Sequence, residues 1–304
     1  MTFIDDLLTG SRVALARGLT KVETGGDEAE HALTQLAGRL GGALRIGFTG
    51  PPGAGKSSLV TAYVRYLRQL EQRVAVIAVD PSSPFSGGAL LGDRIRMSAI
   101  GTDQGVFVRS LATRGDLGGL TRAAGDMADL FDATGFDYIL FETVGVGQSE
   151  LEIVQYADTV NVVLVPESGD AIQGMKAGLM EVGDVFVVNK ADRQGSDRFV
   201  ADLEGAMHLK AWKGWQPPVI LTTATKEEGV ADLHQQIQRH IEFLKASGTF
   251  EERRKERVRR RIRRIVDRRV LESFWTEERS KLMEAALHSD ESPYSITHKL
   301  LGDS

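Results

Sequence analysis

Gly50-Pro51-Pro52-Gly53-Ala54-Gly55-Lys56-Ser57, followed by Ser58, satisfies the pattern G-x-x-x-x-G-K-[ST]. It stands between an apolar run ending at Phe48 and a stretch of helical periodicity that starts near Ser57. That context carries as much weight as the pattern. Glycines let successive backbone N–H groups converge on phosphate oxygens, and a helix beginning at the loop presents its positive end to them. Lys56 is then placed to reach β and γ oxygens, and Ser57 to ligate magnesium. The plain alternative is a glycine-rich turn entering a structural helix; motif and context together disfavour it.

Outward from this loop, short apolar runs recur at 44–48, 74–79, 106–111, 138–141, 160–165, 185–188 and 219–221. Helix-like stretches at 57–69, 118–134, 171–182 and 230–244 lie between or beyond them. Strands alternating with helices make right-handed βαβ units. The expectation is an α/β, three-layer P-loop NTPase fold, with a mostly parallel central sheet and ligands beyond the strand carboxyl ends. Apolar periodicity also predicts helices over 3–22 and 31–40, an amino-terminal extension occupying 1–42. The core domain then spans 43–246. After Lys245-Ala-Ser-Gly-Thr249 a long helix follows, with Val258, Ile262, Ile265, Val266 and Val270 on one side, giving a carboxy-terminal arm over 247–304.

At 304 residues and 42% hydrophobic content the chain is long enough for one large core. It has no apolar run of about eighteen or more residues. Asp5 and Asp6 stand where a signal peptide would be basic, so a cytoplasmic protein without a membrane segment is expected. Zero cysteines exclude disulfides and thiolate metal sites and favour hard cations such as magnesium. The net charge of −5 is uneven: residues 253–269 hold eleven Lys/Arg against Glu256 and Asp267, a net of +9, which leaves −14 for the rest.

A second motif leaves the run at 185–188 as Asn189-Lys190-Ala191-Asp192. It falls on the same edge of the sheet as the phosphate loop. An Asp carboxylate accepts from guanine N1–H and N2–H₂ together, a donor pair adenine lacks. Sites built on such bonds reject analogues without them by up to about 10⁴. Lys190 would lay its stem along the base and Asn189 would tie two loops together; alone, the tetrapeptide also fits a helix-capping Asp. The run at 219–221 leads to Thr222-Thr223-Ala224-Thr225, whose small residues would let backbone amides reach guanine O6.

Acids at other strand ends complete the pattern. Asp80 begins Asp80-Pro-Ser-Ser-Pro84, and Asp93 lies in Leu91-Gly-Asp93-Arg94. Each either holds magnesium or orients water, or is a turn cap and a solvated acid respectively. Glu142 opens Glu142-Thr-Val-Gly145-Val-Gly147-Gln148. That placement suits a magnesium-facing carboxylate with a γ-phosphate-sensing amide at Gly145; an incidental Glu before a glycine-rich turn is the alternative. Ala171-Ile-Gln-Gly174-Met-Lys176 supplies another charged loop.

The succession GPPGAGKSS, DPSSP, GDRIRM, ETVGVGQSE, QGMK and NKAD resembles the MeaB/ArgK-type GTPases, chaperones of methylmalonyl-CoA mutase, over nearly the whole chain. The resemblance implies GTP hydrolysis to GDP with magnesium and association with an adenosylcobalamin-dependent acyl-CoA mutase. There the protein would gate cofactor delivery and block damaged cofactor. It also implies a homodimer joined by carboxy-terminal arms. By the same resemblance Lys56 and Ser57 bind phosphate and magnesium, Asp80, Asp93 and Glu142 match switch and metal-site acids, and Lys176 matches a partner-sensitive third switch. The older label of a lysine/arginine/ornithine transport kinase finds no support in a sequence without a visible membrane or substrate-binding segment. Where many GTPases carry Ser-Ala, this chain has Thr222-Thr-Ala-Thr225.

Rival readings remain open at this stage. A metallochaperone GTPase would need clustered ligands, whereas His31, His208, His234, His240, His288 and His298 are scattered. A nucleotide-binding module without turnover would need inert switch acids. The arginine-rich arm is read first as a dimerising amphipathic helix, ahead of a docking surface for an acidic partner; nucleic acid is not the expected partner, since aromatics do not interleave with its arginines for base stacking.

Overall fold

The structure, a computed structural model, describes residues 3–80, 100–112, 119–143, 149–166, 178–212, 214–289 and 291–302, with backbone alone at 80, 112, 119–121 and 149–150. All seven expected strands form: β1 (Leu44–Thr49), β2 (Val74–Asp80), β3 (Val106–Ala112), β4 (Tyr138–Thr143), β5 (Thr159–Leu164), β6 (Val185–Asn189) and β7 (Val219–Thr222). They make one sheet in the order β3-β2-β4-β1-β5-β6-β7, every pairing parallel. Phe48 of β1 sits opposite Glu142 of β4, so the phosphate-loop strand and the acidic strand end together.

Central parallel strands covered on both faces bury nearly every side chain, which is why they read as continuous apolar runs rather than alternating ones. The two faces separate at period two. Ile46, Phe48, Val76 and Leu140 pack with Leu59, Tyr63 and Leu67 of α4 (Lys56–Gln69) and with Leu233 and Ile237 of α7 (Val230–Ala246). Ile77, Ile139, Phe141 and Val160 pack on the opposite face with Met127 and Phe131 of α5 (Gly119–Ala133). Towards β6 a smaller cluster joins Val162, Phe186 and Val188 to Phe199, Leu203 and Met207 of α6 (Ser196–His208). The sequence reading did not anticipate α6. Of the expected helix at 171–182, a single turn at Leu179–Val182 falls within the described residues.

The amino-terminal helices share the core of the α5 face: Leu7, Leu15, Leu19 and Leu36 are buried in it. The helix expected over 3–22 is two helices, α1 (Phe3–Leu8) and α2 (Arg12–Thr24). Gly10 at φ 80° breaks the first, and Ser11 starts the second by accepting from Ala14 N at 3.3 Å. The next helix, α3 (Asp27–Leu36), begins earlier than expected, after Gly25 and Gly26, both at positive φ. Asp27, Glu28 and Glu30 favour its positive amino end.

The chain divides into two compact units after Glu251. The second unit holds most of α8 (Thr249–Phe274), then α9 (Glu277–Ala286) and α10 (Pro293–Leu301). Val258, Ile262, Val266 and Val270 of α8 are exposed, at the i, i+4, i+8 and i+12 positions of one stripe. Among the described residues no helix is long and apolar enough to cross a membrane.

Candidate functional site

At the end of β1 the chain enters a turn that only glycine fits: Gly50 has φ 135°, and a Cβ there would lie 2.1 Å from the Val163 carbonyl oxygen. Gly53 and Gly55 also take positive φ, 78° and 85°. Gly55 leads directly into α4 and has no side chain with which to cap it. The first intrahelical bond runs from Leu59 N to Gly55 O, so the N–H groups of the opening turn point into the loop. Lys56 is buried and folds back over the loop, donating to Gly50 O at 2.7 Å and Pro51 O at 3.0 Å. Six residues of glycine-rich backbone thus wrap an ammonium group at a helix amino end, an arrangement suited to phosphate oxygens.

β4 brings an acid to the same place. Ser57 Oγ donates to Glu142 Oε1 at 2.5 Å, with both residues buried. Thr143 Oγ1 donates to Thr49 Oγ1 at 3.1 Å, tying the two strand ends together. A hydroxyl and a carboxylate are the hard oxygen donors magnesium takes, usually one or two from protein with the remainder from water and phosphate. Among the described residues no group of three or more His, Asp or Glu could hold a metal by itself. The donor set therefore fits magnesium held jointly with phosphate better than an all-protein cage. Asp80 ends β2 beside β4, Val79 pairing with Thr143. Asp93, Gly145 and Lys176 lie outside the described residues.

The base-reading corner is built around Asn189. Its Nδ2 donates to Ala54 O at 2.9 Å, while its Oδ1 accepts from Thr222 Oγ1 at 3.2 Å and Ala224 N at 3.1 Å. One buried carboxamide therefore links the phosphate loop, the end of β6 and the turn after β7. The same approach requires glycine at 55, where a Cβ would lie 2.4 Å from Asn189 Nδ2. Lys190 takes φ 57°, rare for a side-chain-bearing residue, and Ala191 N donates to Thr222 O at 3.0 Å. Asp192 is partly exposed, with its Oδ2 3.2 Å from Lys226 Nζ. Within the stretch 223–225, Thr223 and Ala224 are buried and Thr225 is exposed; the Ala224 amide is the one engaged by Asn189. Sequence reading missed Lys226, although its place directly after that stretch was a usable signal.

A family model described as methylmalonyl-CoA mutase-associated GTPase MeaB matches residues 15–279. The chain belongs to this family. Membership makes it a P-loop GTPase. A putative GTPase of Pyrococcus abyssi is 44% identical to this MeaB-family chain over 306 aligned residues, covering 98% of it and 94% of the relative. The mitochondrial methylmalonic aciduria type A homolog of Mus musculus is 34% identical, covering 93% and 74%. Among solved structures, the crystal structure of an LAO/AO transport system kinase superposes with a TM-score of 0.75 at 28% identity, covering 99% of this chain and 95% of that one.

Proposed function

We propose that this chain hydrolyses GTP to time its action on an adenosylcobalamin-dependent acyl-CoA mutase, with methylmalonyl-CoA mutase the first partner to test. The observation that carries the nucleotide part is the Asn189 carboxamide, which joins the phosphate loop to the base-reading corner through three hydrogen bonds of 2.9–3.2 Å. The partner is supported by the family description and the name of the mouse relative.

In this reading the backbone from Gly50 to Ser58 holds the α, β and γ phosphates, and Lys56 exchanges its loop carbonyls for β and γ oxygens. Ser57 and Glu142 would hold magnesium, and Asp80 and Asp93 would either hold it through water or orient the attacking water. When bound, the ion offsets charge on the β and γ oxygens. Gly145 would sense the γ-phosphate through its amide. Asp192 accepts from guanine, Lys190 covers the base, and the backbone at 223–225 borders O6. Lys176 carries the nucleotide state to the mutase. The exposed stripe of α8 would pair two copies, making residues 247–304 a dimerisation arm beside a GTPase domain at 43–246 and an amino-terminal extension at 1–42.

Since positioning and electrostatics do most of the work in phosphoryl transfer, turnover by the chain alone is expected to be slow and to rise when a partner completes the site. Steady-state GTP turnover, with and without the mutase from the same source, tests this. Stimulation that disappears in both Lys56→Ala and Lys176→Ala supports the reading. Turnover indifferent to the mutase, together with nickel or another metal ion binding the chain, would favour the metallochaperone alternative.

A further inference from the structure

We propose that Lys226 is a positioning residue for base recognition, fixing through Asp192 Oδ2 the orientation in which that carboxylate meets guanine. This rests on the reading of Asp192 as the guanine acceptor. The ion pair spans 3.2 Å between side chains that are 54% and 41% exposed. On an unstructured surface such a pair contributes little, because two flexible side chains must be ordered to make it.

Here both backbones are already held. On the Asp192 side, Ala191 N donates to Thr222 O and Arg193 N to Lys190 O, each at 3.0 Å. On the Lys226 side, Lys226 N donates to Thr223 O at 2.8 Å, and Thr223 N to Glu228 O at 3.1 Å. Arg65 of α4 pairs with Glu227 at 2.9 Å. Lys190 and Glu227 take φ 57° and 60°, two of three described non-glycine residues at positive φ, and they flank the pair on either side. Backbone held in that region persists where its surroundings over-determine it.

A carboxylate torsion is broad and nearly two-fold, so a carboxylate without a second anchor samples many orientations. Its two oxygens offer about four acceptor positions. Guanine N1–H and N2–H₂ take one on each oxygen, which leaves room for the ammonium on Oδ2. Lys226 and the base therefore bind the carboxylate together. Losing the anchor should weaken most the base that needs both oxygens, and weaken less hypoxanthine, which offers N1–H alone.

The test is calorimetric titration of the full chain with GDP, IDP and ADP, in the wild type, Lys226→Met, Lys226→Arg, Asp192→Asn and the Lys226→Met/Asp192→Asn double variant. Lys226→Met should weaken GDP about three- to fivefold and IDP less. Lys226→Arg should restore GDP binding, and in the Asp192→Asn background Lys226→Met should have no further effect. Unchanged or tighter GDP binding in Lys226→Met overturns the proposal. Equal weakening of GDP and IDP that persists in the Asp192→Asn background overturns it too. A wild type that does not prefer GDP to ADP removes the guanine reading itself; a wild type that does, with Lys226→Met silent, removes this inference alone.

Discussion

The two edges of the sheet bury polar groups to a similar degree and compensate them differently. At the amino edge, Arg45 of β1 pairs with Asp129 at 2.7 Å and lies 3.7 Å from Asp132, both on α5. Asp132 also accepts from the backbone N–H groups of Gly41, Gly42 and Ala43 at 2.8–3.0 Å. Further along that edge, fully buried His240 lies between Thr159 Oγ1 at 2.9 Å and Asp184 Oδ1 at 3.3 Å, and Asp184 Oδ2 accepts from Val160 N at 3.0 Å. These partners belong to strands, helices and their immediate approaches. At the carboxyl edge Lys56 instead donates to carbonyls of its own loop, and Ser57 to Glu142. Those bonds are ones that phosphate and a metal ion can take over. The amino-edge charges lie against strands, helices and their approaches, whereas the carboxyl edge holds its charges in a form that can be handed to a ligand.

The largest expected effect comes from breaking the closed edge. Arg45→Met takes the counter-ion from two buried carboxylates and should cost about 3–5 kcal/mol in urea unfolding. GDP affinity of the folded fraction should stay at the wild-type value. A loss below about 1 kcal/mol would mean that solvent or rearrangement compensates the amino edge, and the contrast between edges would fail. Lys56→Ala attacks the other side: GTP turnover should fall about 10²- to 10³-fold, as when a charge-stabilising donor is removed from an active site. Its unfolding midpoint without nucleotide should move far less than that of Arg45→Met.

Asn189→Ala tests a residue that belongs to both categories. It leaves the buried Ala224 N–H without its acceptor, a cost of about 1–3 kcal/mol, and it disconnects the phosphate loop from the base-reading corner. Stability and GDP affinity should drop together. A variant that loses affinity with unchanged stability would assign Asn189 to the ligand alone.

The sequence made the two motifs and the seven strands legible for one physical reason: each is a local pattern. A parallel strand covered on both faces is apolar along most of its length, with polar residues mainly at its ends, and a phosphate loop must place glycines where the backbone turns through positive φ. What stayed hidden depends on contacts between distant residues. Ser57 and Glu142 are 85 positions apart, and although both read as magnesium ligands, their direct hydrogen bond shows only in the fold. Arg12 reaches the carbonyls of Asp103, Gln104 and Val106 and lies over the Phe107 ring, which fastens α2 to the edge strand β3. The period of α2 could show an apolar face but not its destination. The break at Gly10-Ser11 was missed because a helical apolar pattern continues across it. Lys226 directly follows the stretch at 222–225, but its pairing with Asp192, 34 positions away, shows only once the two loops are placed side by side.

The smallest expected effect separates two histidines on α7. His240 faces Asp184, whereas the half-buried His234 meets aromatic neighbours: Tyr63 Oη lies 3.0 Å from its Nδ1, and the Tyr66 and Tyr138 rings are centred 5.2 and 6.3 Å away. Burial lowers the pKa of His234 below the ordinary value, and it raises the phenols of Tyr63 and Tyr138. The folded protein therefore resists protonating His234 more than the unfolded chain does. Stability from this group is complete above the unfolded value of about 6.5 and is lost as pH falls through it towards the lower folded value. Below that folded value the loss is constant. Urea midpoints of the wild type should decline between pH 7.5 and 5, and His234→Gln, which keeps a polar partner for Tyr63, should decline less steeply. Equal slopes would place the acid sensitivity outside the α4–α7 contact.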